Sequence, residues 1–195
     1  ISAVPNNQFT SGGVCTNAMV FGEFNMTMQE SSFVDGSSLK IQECADSNCA
    51  ASGLVTVAGS ITISHSTGDD GSGQSSFSWR PISSYNGGEF KTSITYKVTL
   101  TTEITASAGL SLAEDEVWTF TTSATSQPCE VEEVRVSPSD VTITTDDETS
   151  EFLALPSYGC VVLDSSTYSW TWDVDDSYAA INEGDCADST GDDCA

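Results

Sequence analysis

The chain has 195 residues and a formal charge of −24, from 29 Asp and Glu against 5 Lys and Arg. So acidic a surface repels phosphate backbones, which excludes sequence-independent nucleic-acid binding, and it disfavours attachment of a basic helix to an anionic membrane. No apolar run approaches the roughly 18 residues that span a bilayer, and Ile1-Ser2-Ala3-Val4-Pro5 lacks the charged and apolar regions of a signal peptide.

The charge is not that of a disordered tail, because hydrophobic residues make up 38% of the chain and fall in short alternating clusters. Ser (31) and Thr (23) are abundant, while Lys occurs three times. The solvated surface is thus written in residues that favour strands and turns over helix interiors. The length suits one or two domains.

In chain order, Met19 to Phe24 is apolar, Leu39-x-Ile41 alternates, and Leu54 to Val57 leads through Ala58-Gly59-Ser60 into Ile61-x-Ile63. Phe77-x-Trp79, Ile94-x-Tyr96-x-Val98-x-Leu100 and Val117-Trp118-x-Phe120 follow. Period-two alternation between Gly, Ser, Asn and Asp clusters predicts half-buried antiparallel strands, and no long segment keeps a 3.6-residue period. Residues 106–116 have room for one helical turn at most. The small, polar, proline-ended stretch Ser123 to Pro128 reads as a linker. The pattern then restarts with Val131 to Val136, Val141-x-Ile143, Phe152 to Leu155, Val161 to Leu163 and Tyr168-x-Trp170-x-Trp172. Two units are therefore expected, 1–123 and 129–195, joined by 124–128. The first carries 12 acids and 4 bases, the rest of the chain 17 acids and one base, Arg135.

Seven cysteines are present, without a Cys-x-x-Cys spacing and with one histidine, so a tetrahedral zinc site is poorly supported. Disulfides are expected in preference to free thiols, given the polar loops around them. Cys44 and Cys49 bracket a short loop, as do Cys186 and Cys194. The simplest pairing adds Cys129–Cys160 and leaves Cys15 unpaired, although sequence does not determine connectivity.

The first unit resembles bacterial Ig-like domains of surface-layer and adhesin proteins, the SbsA-like Ig class. The residues that carry the likeness are Val4-Pro5-Asn6-Asn7, Phe24-Asn25-Met26-Thr27-Met28 with Ser31 or Ser32 after it, and Phe77-Ser78-Trp79-Arg80-Pro81. They continue with Thr95-Tyr96-Lys97-Val98-Thr99-Leu100, Gly109-Leu110-Ser111-Leu112 and Trp118-Thr119-Phe120-Thr121. The Cys44–Cys49 insert and the Gly68 to Gly73 loop depart from that pattern. The second unit more loosely resembles the group 2 bacterial Ig-like class, through Val134-x-Val136-x-Pro138, Phe152-x-Ala154, Tyr168-x-Trp170-x-Trp172 and Ala179-Ala180-Ile181. It lacks that class's closing strands. The resemblance implies two tandem all-β, antiparallel Ig-like sandwiches, the second short of its last strands and completed by another chain or belonging to a longer protein.

Candidate chemistry is sparse. Catalysis is not expected: His65 reads as exposed or locally bonded, because neither partner of a Ser-His-acid triad is identifiable. Gly68 to Gly73 contains two aspartates and no lysine, which is wrong for phosphate. Asp173, Asp175, Asp176 and Asp185 offer hard oxygen ligands for calcium, set against a plain solvated acidic face without EF-hand spacing. Trp79, Trp170 and Trp172 read as core residues by their alternation. Tyr85 is the better candidate for an exposed ring, and with Asn86 it forms a possible binding loop. Asn25-Met26-Thr27 is a glycosylation sequon inside a strand motif, so a structural role is expected there. The functional expectation is an extracellular structural or adhesive module, with copies of itself or neighbouring Ig-like modules as partners. The alternative is a glycan- or protein-binding accessory module using loops 65–76 and 82–90.

Overall fold

The computed structural model describes residues 2–5, 13–67, 73–125, 128–137, 153–159, 161–165 and 168–171. The described residues are all-β, with three antiparallel sheets and two single turns of 3-10 helix, Glu30–Ser32 and Asn86–Gly88. The first eight strands are β1 (Ser2–Val4), β2 (Val20–Phe24), β3 (Leu39–Glu43), β4 (Val55–Val57), β5 (Gly59–Thr67), β6 (Gly73–Pro81), β7 (Thr95–Leu100) and β8 (Glu116–Thr121). Three more follow, β9 (Glu133–Ser137), β10 (Leu153–Tyr158) and β11 (Val161–Val162).

Two four-stranded sheets, ordered β1-β2-β6-β5 and β4-β3-β7-β8, supply the core. The alternation that predicted the strands also assigns their faces. Along β6, Ser75, Phe77, Trp79 and Pro81 are buried while the residues between them are partly exposed. Along β7, Tyr96, Val98 and Leu100 point inward and Thr95, Lys97 and Thr99 outward. Residues 106–116 form no helix; Thr105 bridges Ser111 and the chain turns into β8.

Aromatic packing fills both ends of the core. Phe24, Phe33 and Phe77 have ring centroids 5.8–6.0 Å apart at one end. Phe90 meets Tyr96 at 4.7 Å, Phe120 at 5.2 Å and Trp79 at 5.9 Å at the other. Trp79 is wholly buried, as its alternation predicts. A buried indole N–H needs an acceptor, and Asp35 supplies it: Trp79 Nε1 donates to Oδ1 at 2.7 Å, and the Gly59 N–H donates to Oδ2 at 2.9 Å. The same indole lies so close to Gly59 that a Cβ there would sit 2.0 Å from Cε2. Gly59 is required by space.

The separation into 1–123 and 129–195 does not extend to the core. The third sheet, ordered β11-β10-β9, belongs to the later segment, yet Val161 and Leu163 are part of the same buried cluster as Val14, Val20 and Phe120. Leu163 also forms an antiparallel bridge with Ala18. Tyr168-x-Trp170, read as a strand, is not one. Trp170 is half-buried, and its indole N–H donates to the Ser165 carbonyl at 3.2 Å. Trp172 and Val141-x-Ile143 lie outside the described residues.

Two substitutions test the Asp35–Trp79–Gly59 arrangement by chemical denaturation. Asp35→Ala strands two donors and is expected to cost about 2–3 kcal/mol. Gly59→Ala, which must displace a wholly buried indole, is expected to cost about 1–3 kcal/mol or more through overpacking.

Candidate functional site

Tyr85 and Asn86 occupy the connection from β6 to β7. The chain turns there through positive φ at Asn86 (46°), Gly87 (76°) and Gly88 (95°), a geometry that Asn and Gly tolerate. The Asn86 amide is used within its own loop, donating to the carbonyls of Glu89 at 3.3 Å and Phe90 at 3.1 Å. Tyr85 does not present the exposed ring expected of it. The residue is half-buried, its hydroxyl donates to Glu43 Oε1 in a short hydrogen bond, and it lies 2.8 Å from the Tyr96 hydroxyl. Lys91 Nζ sits 2.6 Å from the same Glu43 oxygen and 5.0 Å from the centre of the Tyr85 ring. The Lys91 N–H in turn donates to the Tyr96 hydroxyl at 2.9 Å. These contacts lock the loop onto β3 and β7.

Burial of its own ring, then the hydrogen bonds with Glu43 and Tyr96 and the nearby negative charge, push the Tyr85 pKa well above its ordinary value. Burial raises that of Tyr96 as well.

His65 acquires the two partners that the sequence did not reveal. Across the β5–β6 ladder it faces Ser75, whose Oγ lies 2.7 Å from Nδ1, while Glu30 Oε1 lies 3.0 Å from Nε2. In the neutral tautomer that the carboxylate favours, with the proton on Nε2, Nδ1 accepts from the serine hydroxyl. The line of groups imitates a triad without its access. Ser75 is 2% exposed, and its oxygen already accepts the Met28 N–H at 2.9 Å. The arrangement ties the 3-10 turn at Glu30 to one end of β5, as Asp35 ties the same connection to Gly59 at the other. Asn25, expected to be structural, is exposed, and its side chain makes no hydrogen bond among the described residues.

The densest constellation lies at residues 14–19, ahead of β2. Val14 bridges Thr122 in parallel, with its N–H on the Thr121 carbonyl and its carbonyl taking the Ser123 N–H, both at 2.8 Å. Cys15 is not unpaired. It is joined to Cys129, which therefore does not pair with Cys160. Thr16 donates to Glu89 Oε2 at 3.0 Å, and its carbonyl accepts the Phe90 N–H. The Asn17 amide grips the backbone of Cys129 at both ends, donating to its carbonyl at 3.3 Å and accepting its N–H at 3.1 Å. The Asn17 carbonyl accepts the Asp164 N–H, and the Met19 N–H donates to the Val162 carbonyl. Arg80 closes the group by clasping both oxygens of Asp164 at 2.9 and 3.0 Å. Residues 14–19 therefore bind β8, the Glu89 loop, Cys129 and the chain after β11 at once.

The second disulfide joins Cys44 to Cys49, as the short loop between them suggests. Two disulfides fit an oxidising compartment. Asp173, Asp175, Asp176, Asp185, Cys160, Cys186 and Cys194 lie outside the described residues. Among the described residues no group of three or more His, Cys, Asp or Glu is placed to hold a metal, and no helix is long and apolar enough to cross a membrane.

The raised phenol values set the direction of a pH effect. With its folded pKa above its unfolded value of about 10, each tyrosine contributes stability that is whole below pH 10. That stability is lost as pH rises towards the folded value. Denaturation midpoints are expected to fall above about pH 10 in the native protein. The fall should be shallower in Tyr85→Phe and shallower again in Tyr85→Phe/Tyr96→Phe. An alkaline slope independent of both tyrosines would remove this account.

Compared with known protein families, curated proteins and solved structures, the chain matches none.

Proposed function

We propose that this chain is a tension-bearing structural or adhesive module of an extracellular, cell-surface protein of bacterial type, built on an Ig-like sandwich. Strand order supports the Ig-like reading. Lettered A, B, C, C′, D, E, F and G, the first eight strands give A-B-E-D facing C′-C-F-G, the immunoglobulin arrangement with one added strand. Tyr96, near the start of the seventh strand at its corner with the sixth, has its hydroxyl bonded to backbone five residues upstream, in the manner of a tyrosine corner. The disulfides differ from that arrangement, since neither joins the two facing sheets.

The observation that carries the proposal is the path of the covalent chain. Cys15–Cys129 closes a loop of 114 residue steps that contains β2 to β8. Tension between the two ends of the chain crosses from Cys15 to Cys129 through sulfur and bypasses β2 to β8. The strand pairing at Ala18 and the Arg80–Asp164 ion pair then stiffen the joint to the following sheet. Linkers between modules are flexible by default, and this junction is tied by covalent, ionic and backbone bonds together. Assembly by strand addition belongs to the same reading. β9 is an edge strand among the described residues, with Val134 and Val136 exposed at 45% and 41%. Loop-borne glycan recognition is less favoured, because Tyr85 and Asn86 are committed to contacts within the protein.

Force spectroscopy on single chains held by their ends checks the bypass. Without reductant, stretching is expected to release only residues outside the Cys15–Cys129 loop. Reduction should add the loop's 114 residue steps, about 400 Å at roughly 3.5 Å each. Equal release in both conditions would mean that tension runs through the sandwich, and the reading would fail.

A further inference from the structure

The five cations of this chain are divided sharply by use. Arg80 is paired with Asp164, Lys91 with Glu43 and Arg135 with Glu133. Among the described residues, Lys40 and Lys97 have no ion-pair or side-chain hydrogen-bond partner. Both stand on the outward face of the β4-β3-β7-β8 sheet. Register makes them diagonal neighbours, since Lys40 is opposite Thr99 and Lys97 opposite Gln42, a separation of about 7–8 Å.

That face is unusual in its composition. Parity along the four strands turns Lys40, Gln42, Thr56, Thr95, Lys97, Thr99, Val117, Thr119 and Thr121 outward. None is acidic, in a chain with 29 acids. Val117 adds an exposed apolar side chain at 50%. The chain also carries the natural complement: residues 173–193 contain Asp173, Asp175, Asp176, Glu183, Asp185, Asp188, Asp192 and Asp193 and no Lys or Arg.

We infer that the outward face of β4-β3-β7-β8 is a docking surface for the acidic segment 173–193 of a second copy of this chain. A face on one copy and a different segment on the next make a head-to-tail contact, which propagates into a row instead of closing as a symmetric dimer. Each contact is weak, because exposed ion pairs contribute little, so the row lengthens only as the chain concentration rises. The inference goes beyond the tension-bearing reading and is independent of it, since the force experiment concerns one chain and this one concerns two.

Electrostatics give the contact a distinctive salt response. Two copies of charge −24 repel each other over long range in dilute salt. At about 0.15 M the screening length falls to about 8 Å, which removes most of that repulsion and spares contacts between touching charges. At about 1 M it is about 3 Å and the contacts weaken too. Association should therefore peak at intermediate salt.

Sedimentation velocity of the full chain, over a hundredfold range of concentration at about 0.02, 0.15 and 1 M salt, tests this. The native chain is expected to form concentration-dependent oligomers, most strongly at the middle value. Lys40→Glu/Lys97→Glu and, separately, Asp185→Asn/Asp188→Asn/Asp192→Asn/Asp193→Asn should each weaken association at least tenfold. Near-ultraviolet circular dichroism confirms that the variants remain folded. Mixing Lys40→Glu/Lys97→Glu with an Asp192→Lys/Asp193→Lys chain should restore assembly that neither shows alone. A native chain that is monomeric throughout, or association indifferent to Lys40 and Lys97, would overturn the inference. So would lysine-dependent binding of a sulfated dextran probe without self-association, which would assign the face to an anionic glycan.

Discussion

The arrangement of the described chain hangs on the six residues between Val14 and Met19. Val14 at the start of this segment and Val20 just after it are wholly buried, so the segment has little freedom to shift. Into that fixed stretch the structure concentrates a disulfide, a two-ended amide clasp, a parallel bridge and an antiparallel one. Asn17 is 5% exposed, and a buried carboxamide left unpaired would be costly. Its bonds to the N–H and carbonyl of Cys129 satisfy it and set the height of the disulfide partner at the same time. In the chain-entropy view a loop of this length contributes about 4–5 kcal/mol through the unfolded state. The polar clasp adds what a disulfide alone lacks, a defined orientation for the chain leaving Cys129.

Scarcity of cations shapes the rest of the polar structure. With five Lys and Arg in the chain, most carboxylates that are bonded within the fold are met by neutral donors. Asp35 takes an indole and a backbone N–H, Glu89 a threonine hydroxyl, and Glu132 the Gly159 N–H. Glu43 combines a phenol with Lys91. Bonds from neutral donors to an ionised acceptor are short and strong and, unlike surface ion pairs, do not depend on holding two long side chains in place. An acidic surface and an ordered fold are compatible on these terms.

The strands were legible because period-two burial leaves its mark on the sequence one residue at a time. Phe77 and Trp79, or Tyr96, Val98 and Leu100, announce a face without reference to anything distant. The site at 14–19 leaves no such mark. Asn17 and Cys129 meet across 112 positions, and cysteine pairing depends on which strands become neighbours, so proximity in sequence favoured Cys160 as the partner of Cys129. The same limit hid Glu30 from His65 and Glu43 from Tyr85. Tyr85 was misjudged for a further reason: a Gly- and Ser-rich loop suggests exposure, while the ring is held down by contacts that the loop's composition does not encode. The composition break at 124–128 is real in sequence, yet Leu163 belongs to the core on the other side of it. Charge statistics and packing need not divide a chain at the same place.

If the chain bears load as proposed, the Cys15–Cys129 loop assigns different mechanical duties to the segments inside and outside it. Whatever stretches the chain acts first on segments outside the Cys15–Cys129 loop, and these include the acidic residues beyond Cys129. Inside the loop, the pairing of β3, β7 and β8 that aligns Lys40, Lys97 and the outward threonines is shielded from tension while the disulfide holds. A face that depends on strand register would be scrambled by a one-residue slip, because slippage turns every side chain to the opposite side. On the proposed load-bearing reading, enclosing the strands that carry the face within a disulfide-closed loop keeps their register out of the load path.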